Sequence, residues 1–195
     1  MKKTLTTLAL GAALVALLPG CSTNTQGDDS APVFLTAEFT LLPLQKSVND
    51  GTPLQFSTTV LRNRLKTNAV GSTQFLDVQA DSYVVTWQRI DGGTSVSPTQ
   101  TFGGNVLVPA NGTSTLTNYP FMSADSLIRP PLDQLFPFNG GIDRETGRAE
   151  IRQAGVVTWY GHTLAGQAVV STPATFDMIF VYAGGAIRVQ PTAVR

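Results

Sequence analysis

Residues 83–93 read Y-V-V-T-W-Q-R-I-D-G-G. Tyr83, Val85 and Trp87 occupy alternate positions, so in an extended chain they share one face. Asp91-Gly92-Gly93 ends the run with turn chemistry. The stretch predicts a strand over Tyr83 to Ile90 with one face on a core, and Trp87 as an anchor of that core. Truncating a buried tryptophan to alanine costs about 3–5 kcal/mol.

The same period recurs along the chain. Val33, Leu35, Ala37, Phe39 and Leu41 alternate with a mixed set from Phe34 to Leu42 and stop at Pro43. Phe176, Met178, Phe180 and Tyr182 alternate with Thr175, Asp177, Ile179 and Val181, which predicts a last strand over Ala174 to Tyr182 and makes Phe176 and Phe180 two further core anchors. Val156 to Tyr160 reads as a strand carrying Val157 and Trp159 inward, Trp159 being the fourth anchor. Ala149 to Arg152 reads as a separate short strand after a turn over 143–148. Leu54 to Leu65 is ambiguous: Leu54, Phe56 and Val60 suit a strand, whereas Leu61 and Leu65 are spaced for a helical turn. The β-branched Thr58, Thr59 and Val60 favour the strand.

Between these runs lie the breakers. Residues 66 to 76 and Gly161 to Gln167 read as loops. Ala110-Asn111-Gly112 sits between two β-like runs, Asn105 to Pro109 and Thr113 to Asn118, and Asn-Gly in that setting predicts a β-hairpin. Pro130-Pro131 forbids a strand interior, so Ser123 to Phe138 reads as one short turn of helix, with Leu132, Leu135 and Phe136 packed as a plug. No stretch of about twelve residues shows clean helical periodicity. Seven to eight short strands with turns between them predict an all-β, antiparallel β-sandwich.

The first residues follow another rule. Lys2 and Lys3 precede an apolar run from Leu5 to Leu18. That run is too short to span a bilayer, which takes about 20 apolar residues, and it has the layout of a secretory signal peptide. Cys21 is the single cysteine of the 195 residues. The run Leu18-Pro19-Gly20-Cys21 resembles the lipobox of bacterial lipoproteins, with Pro19 where that family prefers a small or hydroxyl residue. The resemblance implies cleavage before Cys21 and lipid on its thiol; Ser22, in place of a retaining Asp, implies sorting to the outer membrane. Residues 1–20 are thus expected as a cleaved leader, 21–30 as a lipidated tether, 31–183 as the sandwich and 184–195 as a tail. The tether, S-T-N-T-Q-G-D-D-S after the cysteine, has no apolar side chain to order it.

Composition narrows the partners. Thirteen Lys and Arg balance thirteen Asp and Glu, and losing Lys2 and Lys3 tips the balance slightly acidic. No basic cluster exceeds the spaced Arg62, Arg64 and Lys66, which argues against nucleic acid and anionic lipid headgroups as partners. A single cysteine allows no internal disulfide, so the core must carry stability. The single histidine, His162, excludes sites that need two, H-E-x-x-H zinc chemistry among them.

The stretches Y-V-V-T-W-Q-R-I-D-G-G, V-P-A-N-G-T, R-P-P-L-D-Q-L and V-T-W-Y-G-H-T-L-A-G-Q are together similar to a group of bacterial lipoproteins with an immunoglobulin- or fibronectin-III-like sandwich and no assigned activity. The resemblance implies an immunoglobulin-like fold and no cofactor. Its G-H-T-L-A-G-Q segment has His162 and Thr163 where an acidic residue is usual in G-x-D-x-A-G-N loops, and Gln167 for the Asn.

No G-x-S-x-G elbow or G-x-x-x-x-G-K loop occurs, so neither a hydrolase nor a nucleotide site is selected. Asp143 and Glu145 are weak calcium candidates in a Gly-rich turn, supplying too few oxygens for the six to eight that calcium takes and facing Arg144 and Arg148. A solvated hairpin turn with local ion pairs is the simpler reading. Tyr119, Phe121, Phe136, Phe138, Trp159 and Tyr160 could line a sugar-stacking surface or fill a core. The expectation is a non-enzymatic envelope lipoprotein, held to the membrane through Cys21 and docking an envelope protein at an edge strand. A glycan- or calcium-binding module on the same scaffold is the alternative.

Overall fold

The strand around Trp87 is longer than its clean alternation suggests. In the computed structural model, which describes residues 31–40, 44–66 and 74–183, it runs Val78–Arg89. Val78 and Ala80 are buried, then the register slips at Asp81 and burial resumes at Tyr83, Val85 and Trp87. A β-bulge of this kind adds one residue and breaks the period of two, which is why the first third of the strand does not read as one.

Nine strands form in chain order: β1 Val33–Thr40, β2 Gln45–Ser47, β3 Leu54–Leu65, β4 Val78–Arg89, β5 Gln100–Val108, β6 Thr113–Met122, β7 Glu150–Thr163, β8 Ala168–Val170 and β9 Ala174–Val181. One sheet has the order β1-β3-β6; the other has β2-β9-β7-β4-β5, with β8 also on β7. The chain is an all-β sandwich, and its strands change sheet repeatedly, a Greek-key arrangement. All pairs are antiparallel except the short β2, which runs parallel to β9. The ambiguous segment is a strand, but its inward set shifts from Leu54 and Phe56 to Thr59, Leu61 and Asn63, leaving Val60 only half-buried. Leu41 to Pro43, at the expected end of the first strand, lie outside the described residues.

Two expectations change on folding. Residues 149–152 and 156–160 are not two strands: β7 is continuous through Gly155. A Cβ there would lie 2.3 Å from the Phe176 ring, and Gly155 pairs with Phe176 across the ladder. The aromatic ring fills the space the glycine leaves, so the strand continues where the sequence pattern breaks off. The Asn111-Gly112 turn does form, with Asn111 at φ 53° and Gly112 N–H donating to Pro109 O at 2.9 Å. It joins no hairpin, however: β5 pairs with β4 in one sheet and β6 with β3 in the other. The turn carries the chain across the sandwich.

Aromatic rings fill the space between the sheets. Trp87 meets the rings of Phe176 at 5.5 Å and Phe180 at 6.0 Å, edge-on, and Phe56 lies 4.6 Å from Phe121. A second group stacks Tyr83 on Trp159 at 4.4 Å. Such pairs add about 0.5–1.5 kcal/mol each beyond burial. The buried Asn63 ties the sheets together, its amide donating to Leu76 O at 2.8 Å and Val108 O at 3.2 Å. The expected single turn of helix over 123–138 is three 3-10 turns, Ala124–Ile128, Leu132–Leu135 and Pro137–Asn139, and they bury Leu127, Leu132 and Leu135 completely.

The pairings also define two ends. Val33 faces Leu65, Val78 faces both Val108 and Thr163, and Arg62 faces Thr113; these sit at the end where the described chain enters. Thr40 faces Thr58, Arg89 faces Gln153 and Glu150 faces Val181 at the far end.

Candidate functional site

Arg89 is the last residue of β4, where alternation directs its side chain toward the loops of the far end. Its Nε donates to Asp91 Oδ1 at 2.7 Å, its Nη2 to Asp91 Oδ2 at 3.0 Å and to Asp143 Oδ2 at 2.6 Å, and its Nη1 to Ser95 O at 3.1 Å. The side chains of Arg89, Asp91 and Asp143 are 1%, 1% and 0% exposed. Buried ions cost several kcal/mol each unless their hydrogen-bonding groups are filled, and here they are. Asp91 Oδ2 also accepts from Arg152 N–H at 2.8 Å, and Asp143 Oδ2 from the Thr146 hydroxyl at 2.6 Å.

This cluster explains the double glycine after Asp91. Gly92 takes φ 95° for the turn, whereas Gly93 lies under the guanidinium: a Cβ there would come within 2.3 Å of Arg89 Cζ. Glu145 extends the tie. Its carboxylate accepts from Ser95 N–H at 3.1 Å, the Thr94 hydroxyl at 3.1 Å, the Thr94 N–H and the Ser95 hydroxyl. Below them the buried Gln153 and Ser97 bond twice, at 3.0 and 3.1 Å. The 90–99 loop is therefore pinned to the 140–148 loop and to β7 through Asp91, Thr94, Ser95 and Ser97.

Burial alone would raise the Asp91 carboxyl, but the Arg89 guanidinium and the Arg152 and Gly93 N–H groups outweigh it and hold it at about 2. Burial likewise works against the charge on Asp143, and Thr146 and Arg89 overcome it, so it too lies below the usual carboxylate range. For Arg89 burial opposes ionisation and the two aspartates more than offset it. The Ser95 hydroxyl and the Thr94 N–H hold Glu145 at about 2. These carboxylates are ionised and fully bonded at neutral pH.

The geometry corrects the solvated-turn reading of this segment. Asp143 is buried, and its partner Arg89 is distant in sequence, not the local Arg144 or Arg148, which are both exposed. As calcium candidates Asp143 and Glu145 diverge, one bonded to Arg89 and Thr146, the other to Thr94 and Ser95. Among the described residues no group of three His, Cys, Asp or Glu could hold a metal ion. Arg89 and Asp91 carry the cluster, yet the sequence marks them only as a strand end and a turn. The one local hint is a second glycine beyond what the turn needs.

The other candidates are spread over the molecule. Trp87, Trp159, Phe176 and Phe180 are all buried, and the two indole N–H groups have no hydrogen-bond partner among the described residues. Of the aromatics that could stack on a sugar, Phe121 and Trp159 are in the core, whereas Phe138 at the far end is 81% exposed and Tyr160 on β7 is 41% exposed; they form no common surface. His162 pairs with Asp81 at the β4 bulge, Nδ1 to Oδ2 2.9 Å. Cys21, Ser22 and the 184–195 tail lie outside the described residues. Around the pinned loops, Ile90, Val96 and Ile142 expose between 42% and 49% of their surface.

Compared with known proteins, the chain matches no family model, no curated protein and no solved structure at a significant level.

Proposed function

We propose that this chain is a cell-envelope lipoprotein, anchored through lipid on Cys21 and sorted by Ser22 to the outer membrane, whose immunoglobulin-like sandwich holds a protein partner at the end remote from the anchor. The observation that carries the reading is the far end itself. Two loops that would otherwise be mobile are clamped by a buried Arg89–Asp91–Asp143 cluster, and the clamped loops hold apolar side chains in water. Ile90, Val96, Ile142 and the neighbouring Phe138 are exposed on backbone that is already ordered. Preorganised apolar groups lose little entropy on docking, which favours affinity, and apolar groups concentrated at one place mark interaction sites.

A sandwich of this kind binds through loops set on a rigid frame. We favour the loop platform over docking at a strand edge: β5, one free edge, is interrupted by Asn105 at φ 53°, which spoils a regular ladder for an added strand.

A photo-crosslinking residue placed at Phe138 or Ile142 in intact cells tests the reading. The expected result is one discrete protein adduct from both positions and none from Thr36 on β1. Adducts of equal yield from Thr36, or no protein adduct from either far-end position, would sink it.

A further inference from the structure

The acids and the cations of the clamped far end are in different states. Lys46 pairs with Asp50, Arg129 with Asp125 at 2.6 Å and Arg152 with Glu150 at 2.8 Å, while Arg89 serves both buried aspartates. Glu145 commits both oxygens to Thr94 and Ser95. Asp133 has one carboxylate oxygen buried beneath the 3-10 turns, and Asp177, exposed opposite Ala154, lies about 13 Å back along β9 from Val181. Arg144 and Arg148 are left over: both are exposed, and neither side chain has an ion pair or a hydrogen bond among the described residues.

One turn carries both arginines. Asp143 N–H donates to Arg148 O and Gly147 N–H to Asp143 O, each at 2.8 Å, and Arg144 N–H donates to Gln134 Oε1 at 2.8 Å. Closing the turn brings the two arginine Cα atoms within about 10 Å of each other. Ile142 directly precedes the turn, and Gly141 N–H, bonded to Phe136 O at 3.0 Å, ties this stretch to the Phe138 segment. The platform therefore sets two unpaired guanidiniums among its exposed apolar side chains, on backbone that the Arg89 cluster fixes.

Such a surface selects a partner by its chemistry. A guanidinium is planar and weakly hydrated, and it matches a carboxylate through two parallel hydrogen bonds. Arginine is also among the residues that most often carry binding energy at an interface. The remaining charges at this end nearly balance through the pairs above, so no broad positive field gathers a polyanion. What fits is a short segment with apolar side chains and a carboxylate between them.

We infer that the protein partner docks through an acidic, apolar segment: Arg144 and Arg148 receive an Asp or Glu side chain, while Phe138 and Ile142 cover its apolar neighbours. The inference rests on the loop-platform reading above and adds the partner's chemistry to it. Asp143 and Glu145, the acids of the same turn, do not compete for the two guanidiniums, because each is already bonded within the fold. Two arginines that contribute nothing to the packing of the sandwich thereby acquire a role, and complementary charge of this kind fixes register and excludes basic partners.

The test uses the full chain in intact cells with a photo-crosslinking residue at Phe138. Reversing both charges, Arg144→Glu/Arg148→Glu, should lower the yield of protein adduct about tenfold or more, and Arg144→Gln/Arg148→Gln, which adds no charge, about threefold. Arg64→Glu, at the opposite end, should leave the yield unchanged. Mass spectrometry of the wild-type adduct should place an Asp or Glu of the partner within about four residues of the attachment point. A yield within about twofold of wild type in both double variants, a partner segment free of acids, or attachment to a second copy of this chain would overturn the inference. The two levels fail differently: no adduct in the wild type removes the platform and the inference with it, whereas an adduct indifferent to charge reversal leaves the platform and removes the inference alone. Thermal melts of the purified variants, expected within about 2 °C of wild type, separate a lost contact from a lost fold.

Discussion

Asp143 shows how little a side chain's immediate neighbours say about its state. Flanked by Ile142 and Arg144 in a Gly-rich turn, it looks solvated, yet it is fully buried against Arg89. Removing the guanidinium leaves two carboxylates in the interior without their counter-ion, so Arg89→Ala should cost about 3–5 kcal/mol. Arg144→Ala, on an exposed side chain, should stay within about 0.5 kcal/mol. Urea denaturation of both variants checks the contrast. The cluster also sets a pH dependence. Asp91 titrates at 3.8 when unperturbed and at about 2 in the fold, so its contribution is fully present above the unfolded value and is lost as pH falls through the folded one. Between pH 5 and pH 2 the wild-type chain should lose about 2 kcal/mol more than Asp91→Asn. Parallel loss in both proteins would count against the assignment.

β7 is the central element, with β4 on one side and β8 and β9 on the other. Its continuity depends on Gly155 and Phe176. Gly155→Ala drives a methyl into the ring and should cost about 1–3 kcal/mol, while in a Phe176→Leu background the same change should cost much less, a coupling that a double-mutant cycle reads directly. Additive effects would show that the close approach is not what requires glycine. The Asn111-Gly112 turn carries a related lesson. The dipeptide reports local backbone geometry correctly, since Asn111 adopts positive φ, but a turn does not choose the partners of the strands it joins. Those are chosen by which sheet can bury each strand's apolar face, and β5 and β6 find different answers.

On the scale of the whole molecule the fold is polar along its length. The described chain enters where Val33 faces Leu65 and the clamped loops lie at the other end, so the proposed anchor would leave those loops remote from the membrane. Replacing Cys21 by Ser should abolish fatty-acid labelling and release the protein from the membrane fraction, leaving the thermal stability of the sandwich unchanged; continued labelling would overturn the anchor.

What could be read without a structure was whatever repeats at short range. The all-β class, most strand positions and the inward faces of Tyr83, Val85, Trp87, Phe176 and Phe180 follow from a period of two, because a half-buried strand must alternate whatever it pairs with. The bulge at Asp81, the unbroken run of β7, the crossing at Gly112 and the burial of Asp143 were decided only in three dimensions. Each depends on a residue far along the chain: Gly155 on Phe176, Asp143 on Arg89, Asn63 on Val108. Local periodicity encodes which face is apolar, but the partner that covers it, or neutralises a charge within it, is fixed only when both sheets close on one core.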